Sequence, residues 1–315
     1  MAIRISQIHK QIDKKIASNV IKLATPVVLS NISRTMMSFV DVMMVGHLGS
    51  KALAATGMGS MVVWTMISFS IGLRTATQTV SSRRLGQQNF AECGTALRNG
   101  ILLSFCYGVP VSLLGYMSSG WIAQFLLNET QVSTLARDYI SIGFLGVLFS
   151  SICFVFQGFY TGVEKTKIHM KVTVASNLLN IYLNAGFIYG SDGVQAFFND
   201  LKLPLLGSLW SVFNFPALGV KGAALATVIA STFMMFLYFT MLFNKQIKDV
   251  FNVFLPKLNK NTLFKQIKLA TPQGAQEIFT MSGYVLLYKI VGIIGIVELA
   301  ATEIVFTILQ TSFMP

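Results

Sequence analysis

Long apolar helices that cross a membrane several times, with no sheet, are what this sequence calls for. Hydrophobic residues make up 53% of the 315-residue chain and charged residues only 11%, and mean hydropathy is +0.63. A soluble chain of this length needs far more charge to cover its surface. The apolar residues gather in blocks near 24–45, 52–78, 100–117, 139–160, 172–190, 216–243, 270–296 and 298–314. Most of these suffice for a helix across a hydrocarbon core, which takes about 20 residues, whereas barrel strands of about ten would not give unbroken runs. The first and seventh blocks also echo one another. Leu23-Ala24-Thr25-Pro26 returns as Leu269-Ala270-Thr271-Pro272, Val45-Gly46 as Val291-Gly292, Gly49 as Gly295, and Leu53-Ala54-Ala55-Thr56 as Leu299-Ala300-Ala301-Thr302. A constant offset through two apolar stretches predicts a duplicated membrane unit, its second copy cut short at Pro315.

Residues 1–22 interleave Arg4, Lys10, Lys14, Lys15 and Lys22 with isoleucines, the pattern of a basic amphipathic segment on the membrane face before the first span. Pro26 is expected at the start of span one and Pro272 at the start of span seven, where a missing N–H is harmless. Asp41 lies deep in span one, where an isolated carboxylate costs several kcal/mol. Ser30, Arg34 and Ser38 share its helical face. Asp41 is therefore either a titratable or cation-binding carboxylate, or half of a buried ion pair with Arg34 two turns away. Gly46, Gly49, Gly57, Gly59 and Gly72 permit close approach around the first hairpin. Arg74, Thr75, Thr77 and Gln78 stand near the basic end of span two, where Arg74 has length enough to snorkel.

Pro110 in span three predicts a kink or break. Tyr139 and Gln157 in span four are candidates to line a cavity. Span five carries Asn177, Asn180 and Asn184, which spacings of three and four place on one face with Ser176 beside them. Such amides either contact a hard cation or a solute, or bond helix to helix. The insertion at 194–213, ending in Trp210 and Phe213, reads as an interfacial or re-entrant segment that caps an opening or anchors at the lipid surface. After a linker at 245–261, spans seven and eight add Glu277, Lys289 and Glu303 within the membrane. Leu287 takes the place that matches Asp41 and Lys289 the place that matches Met43.

Basic residues collect in alternate loops: Arg83, Arg84 and Arg98; Lys165, Lys167 and Lys171; and Lys245, Lys248, Lys257, Lys260, Lys265 and Lys268. The positive-inside rule then puts the N-terminus in the cytoplasm. The net charge of +12 is accounted for by this topology and by anionic lipid, leaving no case for nucleic acid. Cys93, Cys106 and Cys153 have no metal spacing and read as small apolar residues. His9, His47 and His169 are scattered near span ends. Asn128-Glu129-Thr130 fits a glycosylation tripeptide, a pattern common by chance. No ATP-binding signature occurs, so an ion gradient or subunits beyond this chain must drive any transport.

These motifs together resemble the multidrug and toxic compound extrusion (MATE) transporters. The resemblance rests on the Leu-Ala-Thr-Pro opening, Phe39-Val40-Asp41 followed by Val45-Gly46-His47-Leu48-Gly49, and Ala52-Leu53-Ala54-Ala55. It continues through Arg84-Leu85-Gly86-Gln87, the Asn177–Asn184 segment and Phe215-Pro216-Ala217-Leu218-Gly219-Val220-Lys221-Gly222, in order over nearly the whole chain. It implies two six-helix lobes around a central cavity, with residues 23–244 as the first lobe and 262–315 as the start of the second. It also implies a secondary antiporter of the cytoplasmic (inner) membrane that is no enzyme, monomeric when full length and without a cofactor. Such a protein exports small organic cations or amphipathic solutes in exchange for H+ or Na+. Asp41, Asn180 and Asn184 match the family's ion-coupling positions and would hold a proton or Na+. Position 184 is aspartate in some members, which leaves one fewer titratable group here. Glu277 does not clearly match the family's seventh-span glutamate, and the insertion exceeds the usual loop. A flippase for a lipid-linked intermediate, with a basic cavity for phosphate, is a rival function on the same fold; a non-transporting membrane scaffold is another.

Overall fold

The computed structural model describes residues 14–200, 204–255 and 258–313; most of the basic segment expected over 1–22 lies outside them. Within this range the chain is helical: α1 (Lys14–Gly46), α2 (Ser50–Gly86), α3 (Phe90–Leu126), α4 (Thr130–Leu145), α5 (Val147–Gly162), α6 (Thr166–Asp200), the short α7 (Pro204–Gly207), α8 (Val220–Met241), the short α9 (Lys245–Phe251), α10 (Lys260–Ile294) and α11 (Ile296–Phe313). Four of these, α2, α3, α8 and α10, are long and apolar enough to cross a membrane, and α4 with α5 make a fifth as a pair bent by 47°. The long helices α1 and α6 fall short of that apolarity. They carry Arg34 and Asp41, and the three asparagines, so polarity is concentrated in the two helices that hold the candidate site.

Helix boundaries follow the sequence repeat. Displaced by the same 246 positions, α2 and α11 begin at Ser50 and Ile296. The turns before them fall on Gly49 and Gly295. One expectation about proline is corrected. Pro26 and Pro272 do not begin their helices: Pro26 lies inside α1, and Pro272 stands twelve residues past the first residue of α10. The start of α10 is set instead by Asn259, whose side chain accepts from the N–H of Asn261 at 3.0 Å and of Thr262 at 3.3 Å, as a helix cap does. At Pro110, where a kink or break was expected, there is no break: α3 continues from Phe90 to Leu126. The break falls in span four, at Gly146 between α4 and α5.

The centre of the bundle is α2, which packs against α3, α4, α5, α10 and α11. Its apolar residues follow no single stripe, because it is covered on every side. Two apolar cores lie along it. One, toward the α1–α2 turn, gathers Leu53, Met58, Ile140, Val147, Tyr288 and Leu299. The other, toward the basic loops, gathers Leu73, Phe156, Tyr160, Tyr238, Phe251 and Ala270. Between them runs a polar layer in which Ser70 and Ser151 hydroxyls lie 2.7 Å apart. Ser104 donates to the Ser151 carbonyl at 3.2 Å, and Tyr107 to the Met66 carbonyl at 2.5 Å. Outward faces are apolar: Met117 is 82%, Phe279 78% and Trp121 69% exposed. Water would not tolerate so much bare apolar surface, and lipid does.

Backbones meet most closely between α2 and α10. A methyl group at Gly72 would run into the Ala270 carbonyl and the Gly274 nitrogen, and one at Gly274 into the Phe69 ring. Small residues at such a crossing let two helices gain van der Waals contact over their length. At the basic-loop end Gln266 of α10 is fully buried, and its Nε2 donates to the Ala96 carbonyl at 2.9 Å and to Thr77 Oγ1 at 3.3 Å. Nearby, Thr262 donates to Glu92 Oε2 at 3.1 Å.

The segment that follows α6 folds back onto that helix. Gly190 has φ 77° and ψ 162°, a conformation that favours glycine, and it turns the last stretch of α6 aside. Ser191 then acts as a hub: its hydroxyl reaches the carbonyls of Trp210 and Phe213, each at 2.9 Å, and accepts from the Phe215 N–H at 2.8 Å. Trp210 stacks on Tyr182 with ring centres 4.9 Å apart and donates its Nε1–H to the Tyr182 carbonyl at 2.8 Å. Residues 201–203 of the expected insertion lie outside the described residues. Leu205 and Val212, 85% and 72% exposed, leave its outer face apolar.

Candidate functional site

α1 and α6 pack along one another, which joins two polar faces that sequence spacing places on separate helices. Asn184 Nδ2 donates to Asp41 Oδ1, and also to Asn180 Oδ1 at 2.9 Å. One turn nearer the basic loops, Asn177 Nδ2 donates to Ser33 Oγ at 2.8 Å. Behind these, Ser176 donates to the Ala230 carbonyl of α8 at 2.8 Å. Asn180 and Asn184 are each 1% exposed. Two of their polar atoms, Asn180 Nδ2 and Asn184 Oδ1, have no hydrogen-bond partner. A buried amide oxygen without a donor is costly, and beside a carboxylate it suits a small cation or a donated proton.

The buried ion pair between Arg34 and Asp41 does not form. Ion pairs among the described residues are Lys51–Glu129 at 2.5 Å and Lys221–Asp138 at 3.3 Å. Seven residues of helix rise about 10 Å, and Arg34 lies within electrostatic range of Tyr238 and Cys153. Ser38 is spent within its own helix, donating to the Arg34 carbonyl at 3.2 Å.

Two residues from other helices complete the neighbourhood. Tyr139 of α4 lies against Gly59, within electrostatic reach of both Asp41 and Glu303. The Glu303 carboxylate of α11 sits against Gly57 and accepts from Tyr288 OH at 2.8 Å. Gly57 and Gly59 thus supply the close approach their positions suggest, one to a carboxylate and the other to a phenol ring. Lys289 is held elsewhere, with its Nζ 3.4 Å from the centre of the Phe125 ring. Among the described residues no hydrogen bond or ion pair ties Glu277 to the cluster, and Gln157 is buried on α5. Sequence reading missed Ser33 and Tyr288. Ser33 adjoins Arg34 but lies off the Asp41 stripe, and Tyr288 acquires meaning only when α10 meets α11.

Beside the cluster an apolar cavity of about 290 Å³ opens between α1, α2 and α11, lined by Phe39, Val42, Met43, Gly46, His47, Leu53, Ile304 and Thr307. Neither Asp41, bonded to Asn184, nor Glu303, bonded to Tyr288, is among its lining residues.

A family model described as MatE matches residues 26–185, slightly more than half of the chain and the whole stretch from Pro26 to Asn184. The chain belongs to the MATE family. It is similar to the multidrug resistance protein NorM of Vibrio vulnificus, with 26% identity over 304 residues that cover 96% of this chain and 62% of that protein. A probable multidrug resistance protein NorM of Thermotoga maritima is 25% identical over 306 residues, covering 96% of this chain and 60% of that one. Among solved structures, the outward-facing conformation of a multidrug resistance MATE family transporter of the MOP superfamily matches with a TM-score of 0.73. It has 20% identity, over 94% of this chain and 61% of that one. An inward-facing conformation of such a transporter gives 0.66 at 19% identity, over 90% and 60%. The chain therefore spans about three fifths of the length of the curated relatives it matches.

Proposed function

We propose that this MATE chain serves secondary transport, exporting small organic cations or amphipathic solutes in exchange for H+ or Na+. The observation that carries the reading is the buried constellation of Asp41, Asn184 and Asn180, with one orphaned acceptor and one orphaned donor beside a carboxylate. The names of the relatives as multidrug resistance proteins support it. Sodium would take its oxygens from Asp41, Asn180 and Asn184, hard ligands of the kind such cations prefer. A proton would sit on Asp41 and be donated to an asparagine oxygen after an amide flip. In both cases the bound ion neutralises a carboxylate otherwise costly to bury, and so favours a different packing of α1 against α6. Solute would bind where that carboxylate is free. Mutual exclusion of the two ligands is a negative coupling free energy, and exchange requires nothing more. Glu303, held by Tyr288, supplies a second carboxylate within the helices around α2, and the apolar cavity between α1, α2 and α11 would take the apolar part of an organic cation.

The distribution of lysine and arginine supports an orientation with the basic loops and N-terminus in the cytoplasm. Residues 23–244 then constitute a first lobe, and 262–315 begin a second. The test is efflux of a fluorescent organic cation from proteoliposomes that contain the protein, under separately imposed proton and sodium gradients. One gradient is expected to accelerate efflux. If neither does so in correctly folded protein, the exchange reading is wrong.

A further inference from the structure

α10 opens the second copy of the duplicated unit, so what ties its first turns to α3 ties one copy to the other. The tie has a regular pattern. Glu92, Ala96 and Asn99 share one face of α3, and Asn259, Thr262 and Gln266 share one face at the start of α10, both at spacings of three and four. The two faces meet group by group. The Glu92 carboxylate accepts from Thr262 Oγ1 at 3.1 Å and from Asn259 Nδ2 at 3.4 Å. Asn99 Nδ2 donates to the Asn259 carbonyl at 3.1 Å. Deeper in, Gln266 Nε2 donates to the Ala96 carbonyl at 2.9 Å and to Thr77 Oγ1 of α2 at 3.3 Å. The linker is seated on the same end of α3. Arg98 Nη1 donates to the Asn252 carbonyl at 2.6 Å, and Gly94 leaves room for the Phe251 carbonyl, which a methyl group there would strike.

This polar zipper is held loosely for so buried a seam. Asn99 and Gln266 are fully buried, yet Asn99 Oδ1 and Gln266 Oε1 have no hydrogen-bond partner. A bond that is made contributes about 1 kcal/mol net, and a buried acceptor left without a donor costs about 1–3 kcal/mol. The two orphaned oxygens therefore offset much of what the bonds contribute, and parting the faces lets water reach both. A permanent seam would be apolar, as it is toward the α1–α2 turn, where Leu53, Met58, Tyr288 and Leu299 pack together. The two ends of the bundle differ in shape as well. The apolar cavity lies near the α1–α2 turn, around Gly46 and His47, whereas the zipper shuts the basic-loop end. A carrier that exchanges ligands across a membrane has to open its site to one face at a time.

We infer that the Glu92–Asn99 face of α3 and the Asn259–Gln266 face of α10 form a releasable closure of the transport path at the basic-loop end, joined as seen here and parted when solute passes that face. The inference rests on the transport reading. It gives Glu92 a positioning role: its carboxylate holds the closure and touches neither coupling ion nor solute.

The test is a reversible bridge across the zipper, Glu92→Cys with Thr262→Cys, in protein whose Cys93, Cys106 and Cys153 are replaced by alanine. A bifunctional methanethiosulfonate is expected to join the two positions and stop efflux of the fluorescent organic cation, and a reductant to restore it. A monofunctional reagent on either single variant should leave efflux within about 2-fold. Labelling then separates the closure from the exchange reading, since it needs neither solute nor gradient. Ala96, fully buried, is replaced by cysteine and exposed to a membrane-impermeant maleimide on the basic-loop side. Its reaction should quicken about 10-fold once Glu92→Ala and Thr262→Val remove bonds from the zipper. If Ala96→Cys does not fold, Thr77→Cys reports on the same contact. Protein without efflux before bridging, but with that gain in labelling, supports the closure and contradicts the exchange reading. Efflux that continues through bridged protein, or labelling unchanged by the paired variant, overturns the inference.

Discussion

Asp41→Asn is expected to abolish gradient-driven efflux while leaving the protein folded. The substitution keeps the shape, and the oxygen of the new amide still accepts from Asn184 Nδ2, the bond that Asp41 makes now. It removes the only charge in the constellation. Asn180 and Asn184 remain, but neutral oxygens alone hold a hard cation poorly, and an amide takes up no proton at physiological pH. Losing a buried, hydrogen-bonded charge from a binding site costs about 3 kcal/mol, or roughly 100-fold in affinity for the coupling ion. Acceleration by the driving gradient should therefore fall to the passive rate in proteoliposomes. Thermal unfolding in detergent should stay within a few degrees of the wild type. Efflux that still responds to the gradient would take Asp41 out of the mechanism.

Replacing Gly72 by leucine should produce the largest structural effect. Its missing side chain is what allows α2 to meet α10, since a Cβ there would collide with the Ala270 carbonyl and stand 2.7 Å from the Gly274 nitrogen. Backbone cannot give way as a flexible side chain does, so the helices must separate. Overpacking of this kind costs about 1–3 kcal/mol, with the buried bonds of Gln266 to Thr77 and Ala96 strained in addition. Stability should drop by about 3 kcal/mol. A cysteine introduced at Gln266, buried in the parent, should become reactive to a water-soluble maleimide. Gly46→Ala is the matched control, because nothing lies within 4 Å of a Cβ at that position; it should change neither property.

How much of this was legible beforehand differs between elements. The duplicated hairpin was visible, because its Gly and Thr-Pro positions repeat at one offset and the starts of α2 and α11 obey the same offset. Asp41 and the asparagines were legible as faces, since a carboxylate or amide among apolar neighbours stands out in any membrane span. Their meeting was not: the contact joins residues 143 apart, and local periodicity says nothing of which helix faces which. The same limit applies to Arg34: spacing on one helix left Asp41 open as its partner, whereas among the described residues that ion pair does not form. His169 looked incidental for a similar reason, as its hydrogen-bond partner Tyr238 lies 69 positions away. Proline breaks a helix only where the freed carbonyl lacks another partner, and α1, α3 and α10 all run through theirs.

The most direct test of the central claim, that coupling ion and solute exclude one another through Asp41, is the affinity of the protein for an organic cation. Dissociation constants would be measured at equilibrium across a range of pH and then across a range of sodium concentration. The account predicts that one of the two ions weakens solute binding by at least about 10-fold, a coupling of roughly 1.4 kcal/mol, and that Asp41→Asn removes the dependence. A dissociation constant indifferent to both ions in the wild type, or equally ion-dependent in Asp41→Asn, would contradict it.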